Sequence, residues 1–188
     1  MTSRPAFCPV SLVTDRLRRV CIYCKGEITY FDVIYRFYPY KRDVAHLTCA
    51  LNRGITLKEH YVTYLQDQLQ RYLKIVNDLI TYFKYVKEKS KGNVVTVHTK
   101  RIIHMFKYNE ANVVTLGTVL HILASSVGRD VLIVNKRRSS GVVRRRIYVF
   151  TKESLDKVLN ILDVFKQKLE KNLEFIKEKL LVEQKLGK

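Results

Sequence analysis

The chain has 188 residues with 35 Lys and Arg against 17 Asp and Glu, a net charge of +18, and 47% of its residues are hydrophobic. This composition excludes a disordered tail and predicts a folded protein with a polyanionic partner. No apolar run approaches the ~18 residues that a membrane span needs, and no signal peptide is evident. We therefore expect a cytoplasmic protein, nucleoid-associated if prokaryotic. Half of the excess charge falls in residues 91–150, which hold eleven basic and two acidic residues.

The amino-terminal third contains a metal-ligand pattern. Upstream of it, only a short basic turn of helix is predicted, at residues 14–19. Cys21 and Cys24 form a Cys-x2-Cys pair on a predicted tight turn, where two thiolates can share one tetrahedral metal. His46 and Cys49 lie three apart at the start of a predicted short helix, so both side chains can face the same ion. In a reducing compartment this set predicts one structural zinc, whose four protein ligands leave no position for a reacting water.

A strand-like segment at residues 30–38 separates the two ligand pairs, and the whole pattern resembles the treble-clef zinc fingers of the LIM and PARP type over residues 20–54. In those fingers a knuckle, a β-hairpin and a helix N-terminus supply the ligands in chain order. The resemblance implies a structural zinc held by three thiolates and one imidazole, those of Cys21, Cys24, His46 and Cys49. Three alternatives stay open: a redox pair, which here lacks the usual βαβ surroundings, unrelated buried thiols, and Cys8 in place of His46.

Two long helices with heptad seams are predicted on either side of the basic region. The first begins at a capping box formed by Thr56 and Glu59 and ends near Lys89. The second follows Thr151 as its N-cap and continues for about 35 residues, with only Lys166 interrupting its seam. The seams consist of Val62, Leu65, Leu69, Tyr72, Val76, Leu79, Phe83 and Val86 in the first helix and of Leu155, Leu159, Leu162, Leu169, Leu173, Ile176 and Leu180 in the second.

Neither long helix can bury its apolar stripe alone, so the stripes must pair within one chain, between two chains, or both. Long helices that flank a winged helix resemble the layout by which MarR- and PadR-like regulators dimerise. The resemblance implies a homodimer through the long helices. An intramolecular helical hairpin in a monomer is the alternative.

The basic region between the long helices shows the element order of a winged helix-turn-helix. Periodicity and turn residues predict, in order, a strand at 94–97, a helix at 99–108, a turn at 109–112, a helix at 115–127, a strand at 131–135, an arginine-rich hairpin at 136–146 and a strand at 147–150. A cationic hairpin beside a helix suits duplex DNA, because the hairpin can follow phosphates while the helix enters a groove. A solvated hairpin whose charges only aid solubility is the alternative.

The candidate nucleic-acid contacts divide into helix residues and hairpin residues. The helix offers Thr115, Thr118, His121 and Ser125, a set without the Arg, Asn or Gln that usually read base edges. The hairpin offers six cations: Lys136, Arg137, Arg138, Arg144, Arg145 and Arg146. We therefore expect binding that is dominated by the phosphate backbone.

These features predict a mainly helical α+β protein with four segments: a treble-clef zinc module at 1–55, a long helix at 56–90, a winged helix-turn-helix at 91–150 and a carboxyl-terminal long helix at 151–188. We expect a non-enzymatic DNA-binding protein, a transcriptional regulator without a small-molecule substrate. The sequence shows no Gly-rich phosphate loop or nucleophile–base pair, and residues 91–150 hold too few carboxylates for a two-metal nuclease. The alternatives are an RNA- or ribonucleoprotein-associated zinc protein, whose aromatic residues between 30 and 40 would stack on bases, and a coiled-coil scaffold.

Overall fold

The structure, a computed structural model, describes residues 8–15, 19–37, 43–136 and 145–186. It is a mixed α+β structure of helices and small antiparallel sheets, as the sequence predicts. The chain forms two compact units, which we call unit 1 (Met1–Leu73 with Gln167–Lys188) and unit 2 (Lys74–Lys166). Each unit is described by itself below.

Unit 1 contains short strands, one short helix and parts of the two long helices. Its short elements in chain order are β1 (Val10–Leu12), β2 (Arg19–Val20), β3 (Glu27–Ile28), β4 (Val33–Arg36), β5 (Val44–His46) and α1 (Leu47–Leu51). The strands pair antiparallel in the orders β1-β4-β5 and β2-β3. One cluster of its core consists of seven small or medium side chains, those of Val13, Cys21, Ile28, Ile34, Val44, Ala45 and Ala50. Larger side chains of unit 1, such as Phe31 and Leu47, are buried as well.

Unit 2 receives the second part of α2 (Glu59–Lys89), a helix that begins in unit 1. The following elements are β6 (Val94–His98), α3 (Thr99–Phe106), α4 (Glu110–Val127), β7 (Val131–Lys136), β8 (Arg145–Thr151) and α5 (Leu155–Leu186), the last of which ends in unit 1. The three strands form one antiparallel sheet in the order β6-β8-β7, so the three strand predictions in this region are confirmed. Alternate residues of β8 are buried, and Phe150 packs edge-to-face on Phe83 of α2 with ring centroids 5.3 Å apart.

The predicted apolar seams of α2 and α5 are buried within the single chain. Val86 and Leu159 are half-buried, the side chain of Leu180 lies outside the described part, and the other apolar seam residues are buried. Both helices bury further side chains beside the seam: Ile75, Ile80, Tyr82, Val158 and Phe165. A stripe of this width is typical of a helix in a globular core rather than of a two-stranded coiled coil. The homodimer stays a prediction, but the stripes no longer require one.

Both long helices begin later than their capping signals predict. Helix α2 begins at Glu59 because the first helical amides donate to the Lys58 carbonyl, at 2.9 and 3.4 Å, and Thr56 lies outside the helix. Thr151 is the last residue of β8 and not the cap of α5. The cap position belongs to Ser154, whose carbonyl accepts the first helical hydrogen bond of α5 at 2.9 Å. In both cases a plausible capping residue stands just ahead of the residue that starts the helix.

The predicted turn before α4 is the first part of the helix itself. The Asn109 side chain accepts a hydrogen bond from Asn112 N at 2.9 Å, which makes Asn109 the N-cap of a helix that begins at Glu110. Thr115 therefore lies in the second turn of α4 and not at its start. Helix α3 ends at Phe106, two residues earlier than predicted, because Lys107 adopts a left-handed backbone with φ of 50°.

The amino-terminal predictions are corrected in two places. The strand predicted at 30–38 is reduced to β4, and β1 lies in a segment for which no strand was predicted. The basic helical turn predicted at 14–19 is absent from its described part, since Arg19 belongs to β2; residues 16–18 lie outside the described residues.

Among the described residues, α4 alone is long and apolar enough to cross a membrane by length and composition, which the sequence expectation overlooked. Its 18 residues include eight that are buried inside the protein. This burial favours a core helix over a membrane span.

Candidate functional site

Four side chains of unit 1 meet in one cluster. The Sγ atoms of Cys21, Cys24 and Cys49 and a ring nitrogen of His46 all lie within 4.8 Å of one another, and His46 Nδ1 is 3.4 Å from Cys24 Sγ. In a tetrahedral zinc site, bond lengths near 2.1 and 2.3 Å place neighbouring donor atoms about 3.5–3.8 Å apart. The cluster is therefore close to the size that one ion requires, and these four residues could hold one metal ion.

A tight backbone turn positions the first ligand pair. Cys21 N donates to Gly26 O at 2.9 Å, and Lys25 N donates to Cys21 O at 3.0 Å with Lys25 in a left-handed conformation (φ 58°). Gly26 N also donates to Cys24 Sγ at 3.4 Å, and a Cβ at Gly26 would stand only 3.3 Å from this sulfur. A glycine suits this position because the backbone must approach the sulfur closely.

The second ligand pair lies where β5 passes into α1. His46 ends β5, opposite Ile34 of β4, and Cys49 follows three residues later on α1. This spacing puts both side chains on the same side of the junction, as the sequence predicts. The backbone amide of His46 donates to Cys21 Sγ at 3.4 Å, so amides near both ligand pairs point at sulfurs of the cluster.

The surroundings of the cluster give its thiols different pKa values. Burial by itself would raise the pKa of Cys21, but hydrogen bonds from the backbone of Cys24, His46 and Tyr23 lower that pKa to about 6. Burial, and then the neighbouring thiols of Cys24 and Cys21, raise the pKa of Cys49 to about 11. Ionising all three thiols in one small volume requires a nearby cation, because like charges oppose each other. A divalent metal would supply that charge.

Cys8 does not belong to this cluster. Its side chain is 3% exposed, and its Sγ donates to the Val10 carbonyl at 3.1 Å. The alternative in which Cys8 replaces His46 as a ligand is therefore wrong, because the cluster of the described residues contains His46.

Sequence reasoning missed Asp32, which lies beside the His46 ring. One carboxylate oxygen, Oδ2, is 3.8 Å from His46 Nε2, and the other, Oδ1, is 2.7 Å from Lys168 Nζ. Thr29 N donates to Oδ2 at 2.6 Å. The Thr29-x-x-Asp32 spacing is typical of a turn with a side-chain acceptor, and it is the feature of the sequence that could have indicated the position of Asp32.

In unit 2, α4 presents three of the four helix residues that were predicted to contact nucleic acid. His121 and Ser125 are exposed, and Thr118 is half-buried. Thr115 is wrong as a contact residue, because it is 4% exposed and its hydroxyl donates to a carbonyl one turn earlier at 2.9 Å. Val114, which is 73% exposed, was missed because the helix was predicted to begin after it.

The basic hairpin is described at its base. Strands β7 and β8 pair with Asn135 opposite Arg146 and Lys136 opposite Arg145. Lys136, Arg145 and Arg146 are therefore strand residues. The other predicted hairpin contacts, Arg137, Arg138 and Arg144, lie outside the described residues.

Aromatic residues between 30 and 40 were predicted to stack on bases in the RNA alternative, and those that the structure describes contribute to the packing of unit 1. Tyr23 and Tyr35 both contact the Phe37 ring edge-to-face, with centroids 6.0 and 5.0 Å away. Tyr30 is half-buried. The two remaining candidates, Tyr38 and Tyr40, lie outside the described residues.

Comparisons with protein-family models, curated proteins and solved structures find no match to this chain. The function must therefore be inferred from the residues, distances and charges of the two units.

Proposed function

We propose that the chain is a non-enzymatic DNA-binding protein, in which unit 2 binds duplex DNA and one zinc ion stabilises unit 1. The observation that carries the proposal is the concentration of eleven basic and two acidic residues in 91–150, the segment that also contains α4 with His121 and Ser125 exposed. Cations on such a surface release counterions from phosphates, which drives binding to nucleic acid whatever its sequence. A regulator of transcription is the simplest role for this chemistry.

The element order of unit 2 supports a winged helix-turn-helix. The second part of α2, then α3 and α4, precede the β7–β8 hairpin, and β6 joins β8 to complete the sheet order β6-β8-β7. In this proposal α4 is the recognition helix, and the hairpin with its basic residues is the wing. A helix in the major groove with a cationic hairpin on flanking phosphates is a geometry that positions a protein on duplex DNA.

The exposed residues predict weak base discrimination. The α4 face formed by Val114, Thr118, His121 and Ser125 offers few hydrogen bonds to base edges, although Val114 is suited to a thymine methyl group. Further cations are exposed on α3 and directly after it: Lys100, Arg101 and Lys107. We therefore propose that phosphate contacts dominate the affinity.

The ligand set favours zinc as the metal of unit 1. Three thiolates and one imidazole are ligands that zinc prefers, and four of them complete its coordination in a structural site. The order of the elements, a knuckle at Cys21 and Cys24, then strands, then α1 with His46 at its start, supports a treble-clef arrangement. The four residues would hold the ion and tie the knuckle to the β5–α1 junction.

The wing is tested by replacing Arg144, Arg145 and Arg146 with glutamine and measuring duplex DNA binding across a salt series. The triple variant should bind more weakly, and the slope of log affinity against log salt should become less steep by between about 1 and 3 units, since each phosphate contact contributes about 0.9. Fluorescence anisotropy of a labelled duplex gives both quantities.

A matched control removes the same charge from exposed lysines elsewhere, as Lys84→Gln, Lys171→Gln and Lys177→Gln. This variant should retain a slope close to that of the unmodified protein. Unchanged binding by the arginine variant contradicts the wing. Equal losses in both variants would show that net charge, and not the hairpin, drives binding.

A further inference from the structure

We infer that Asp32 is a positioning residue of the metal centre and also joins this centre to α5, so that metal binding and attachment of α5 within unit 1 stabilise each other. The inference rests on the proposal that the cluster of three cysteines and one histidine binds zinc. The contacts that carry it are made by residues other than the four ligands, and the ligand spacing in the sequence does not predict them.

The orientation of the His46 ring places Asp32 behind the ligand. Nδ1 faces the thiols, 3.4 Å from Cys24 Sγ, so Nε2 points away from the cluster. Asp32 Oδ2 lies 3.8 Å from Nε2, an electrostatic contact that is longer than a hydrogen bond. Metal-bound imidazoles commonly present their second nitrogen to a carboxylate, which fixes the ring orientation and increases the basicity of the ligand.

The Asp32 carboxylate is itself held in place by the turn at residues 29–32. Thr29 donates to Oδ2 through its backbone N at 2.6 Å and its hydroxyl at 3.2 Å, while Asp32 N donates back to the Thr29 carbonyl at 3.2 Å. Phe31, within the turn, is fully buried with a left-handed φ of 63°. The core therefore fixes the turn, and the turn fixes the carboxylate.

Helix α5 attaches to the same turn through two side chains. Lys168 Nζ is 2.7 Å from Asp32 Oδ1 and also contacts the Thr29 hydroxyl. Asn172, one helical turn later on the same face, donates to the Phe31 carbonyl at 2.9 Å. The two segments are 139 residues apart in sequence from Thr29 to Lys168, so tertiary contacts alone hold them together.

One carboxylate therefore serves both the metal ligand and the helix. Oδ2 faces His46, while Oδ1 faces Lys168. Binding at either place favours the same position of the Asp32 side chain, and such coupling is reciprocal in free energy. Apolar residues of α5 are buried in addition, namely Leu169, Leu173 and Ile176, so the carboxylate makes the attachment metal-dependent without being its sole cause.

The test uses the full-length chain with Asp32→Asn and Lys168→Met, and Lys177→Met as the control at an exposed position of the same helix. Zinc affinity is measured by competition with a chromophoric chelator, and backbone hydrogen exchange of residues 167–178 is measured with and without zinc. Asp32→Asn should lower zinc affinity about 10- to 100-fold. In both Asp32→Asn and Lys168→Met, the zinc-dependent protection of residues 167–178 should be reduced, whereas Lys177→Met should match the unmodified protein.

Zinc affinities and zinc-dependent protection like those of the unmodified protein in both variants would overturn the inference while leaving the zinc site intact. An unmodified chain that binds no zinc would overturn the metal proposal itself, and the inference with it. If Asp32→Asn does not fold, Lys168→Met decides: retained zinc-dependent protection overturns the inference, and its loss supports it.

Discussion

Removing the metal from unit 1 should unfold residues 20–54. The hydrophobic cluster that holds the knuckle and the β5–α1 junction has four larger aliphatic side chains, Val13, Ile28, Ile34 and Val44. Burying each stabilises the fold by about 1.5–3 kcal/mol, or roughly 6–12 kcal/mol together. A structural zinc contributes about 10–16 kcal/mol in small zinc modules. Since this term is comparable with that of the hydrophobic cluster, the cluster alone should not hold the knuckle and the β5–α1 junction together when the metal is lost.

The assay compares Cys21→Ser with Cys8→Ser in the full-length chain. Both cysteines are buried, but only Cys21 belongs to the cluster. Cys21→Ser should bind no zinc in native mass spectrometry, and backbone amides of residues 20–54 should exchange rapidly with solvent. Cys8→Ser should retain one zinc and slow exchange. Helix α4, in the core of unit 2, should stay protected in both variants.

A Cys21→Ser chain in which residues 20–54 exchange as slowly as in the unmodified protein would refute the comparison of metal and core energies. Loss of protection in α4 as well would contradict the expectation that α4 stays folded without the metal. Zinc loss in Cys8→Ser would contradict its position outside the cluster.

Three further predictions concern unit 2. Burial and then the hydrogen bond to Asp78, at 2.7 Å, raise the pKa of Tyr108. The contribution of Tyr108 to stability is therefore present below pH ~10 and decreases as pH rises above that value. In urea unfolding, Tyr108→Phe should lower the free energy of unfolding by about 1–3 kcal/mol at neutral pH and should reduce the loss of stability at alkaline pH. Phe83→Ala, at a fully buried ring, should cost about 3–5 kcal/mol in the same assay, against less than ~0.5 kcal/mol for Val164→Ala at a 59% exposed position. Thr115→Val should leave the DNA affinity measured by fluorescence anisotropy unchanged, because the Thr115 side chain is buried. A marked loss of affinity would show that Thr115 contacts DNA.

The parts of the fold that local sequence determines were predictable. The ligand spacing of Cys21, Cys24, His46 and Cys49 identified the cluster that the structure brings together, because a knuckle and a helix turn each fix their own pair. Strand alternation likewise located β6, β7 and β8 to within two residues. In contrast, the start of α4 was misplaced because Asn109 is equally suited to a turn and to an N-cap.

The missed features depend on contacts between segments far apart in sequence. No spacing rule connects Asp32 with Lys168, because their proximity depends on how α5 packs within unit 1. The heptad seams were similarly read as helix–helix interfaces, whereas residues off the seam, such as Ile75 and Val158, are buried too. Periodicity shows which side of a helix is apolar but not which surface covers it.

The most direct test of the central proposal is competition binding of the purified protein to duplex DNA and structured RNA across a salt series. The proposal predicts that duplex DNA competes more strongly than RNA, with affinity that falls steeply as salt rises. A preference for RNA would contradict duplex DNA as the ligand of unit 2 and would favour a ribonucleoprotein role. Weak binding to both would contradict a nucleic-acid role for the basic region altogether.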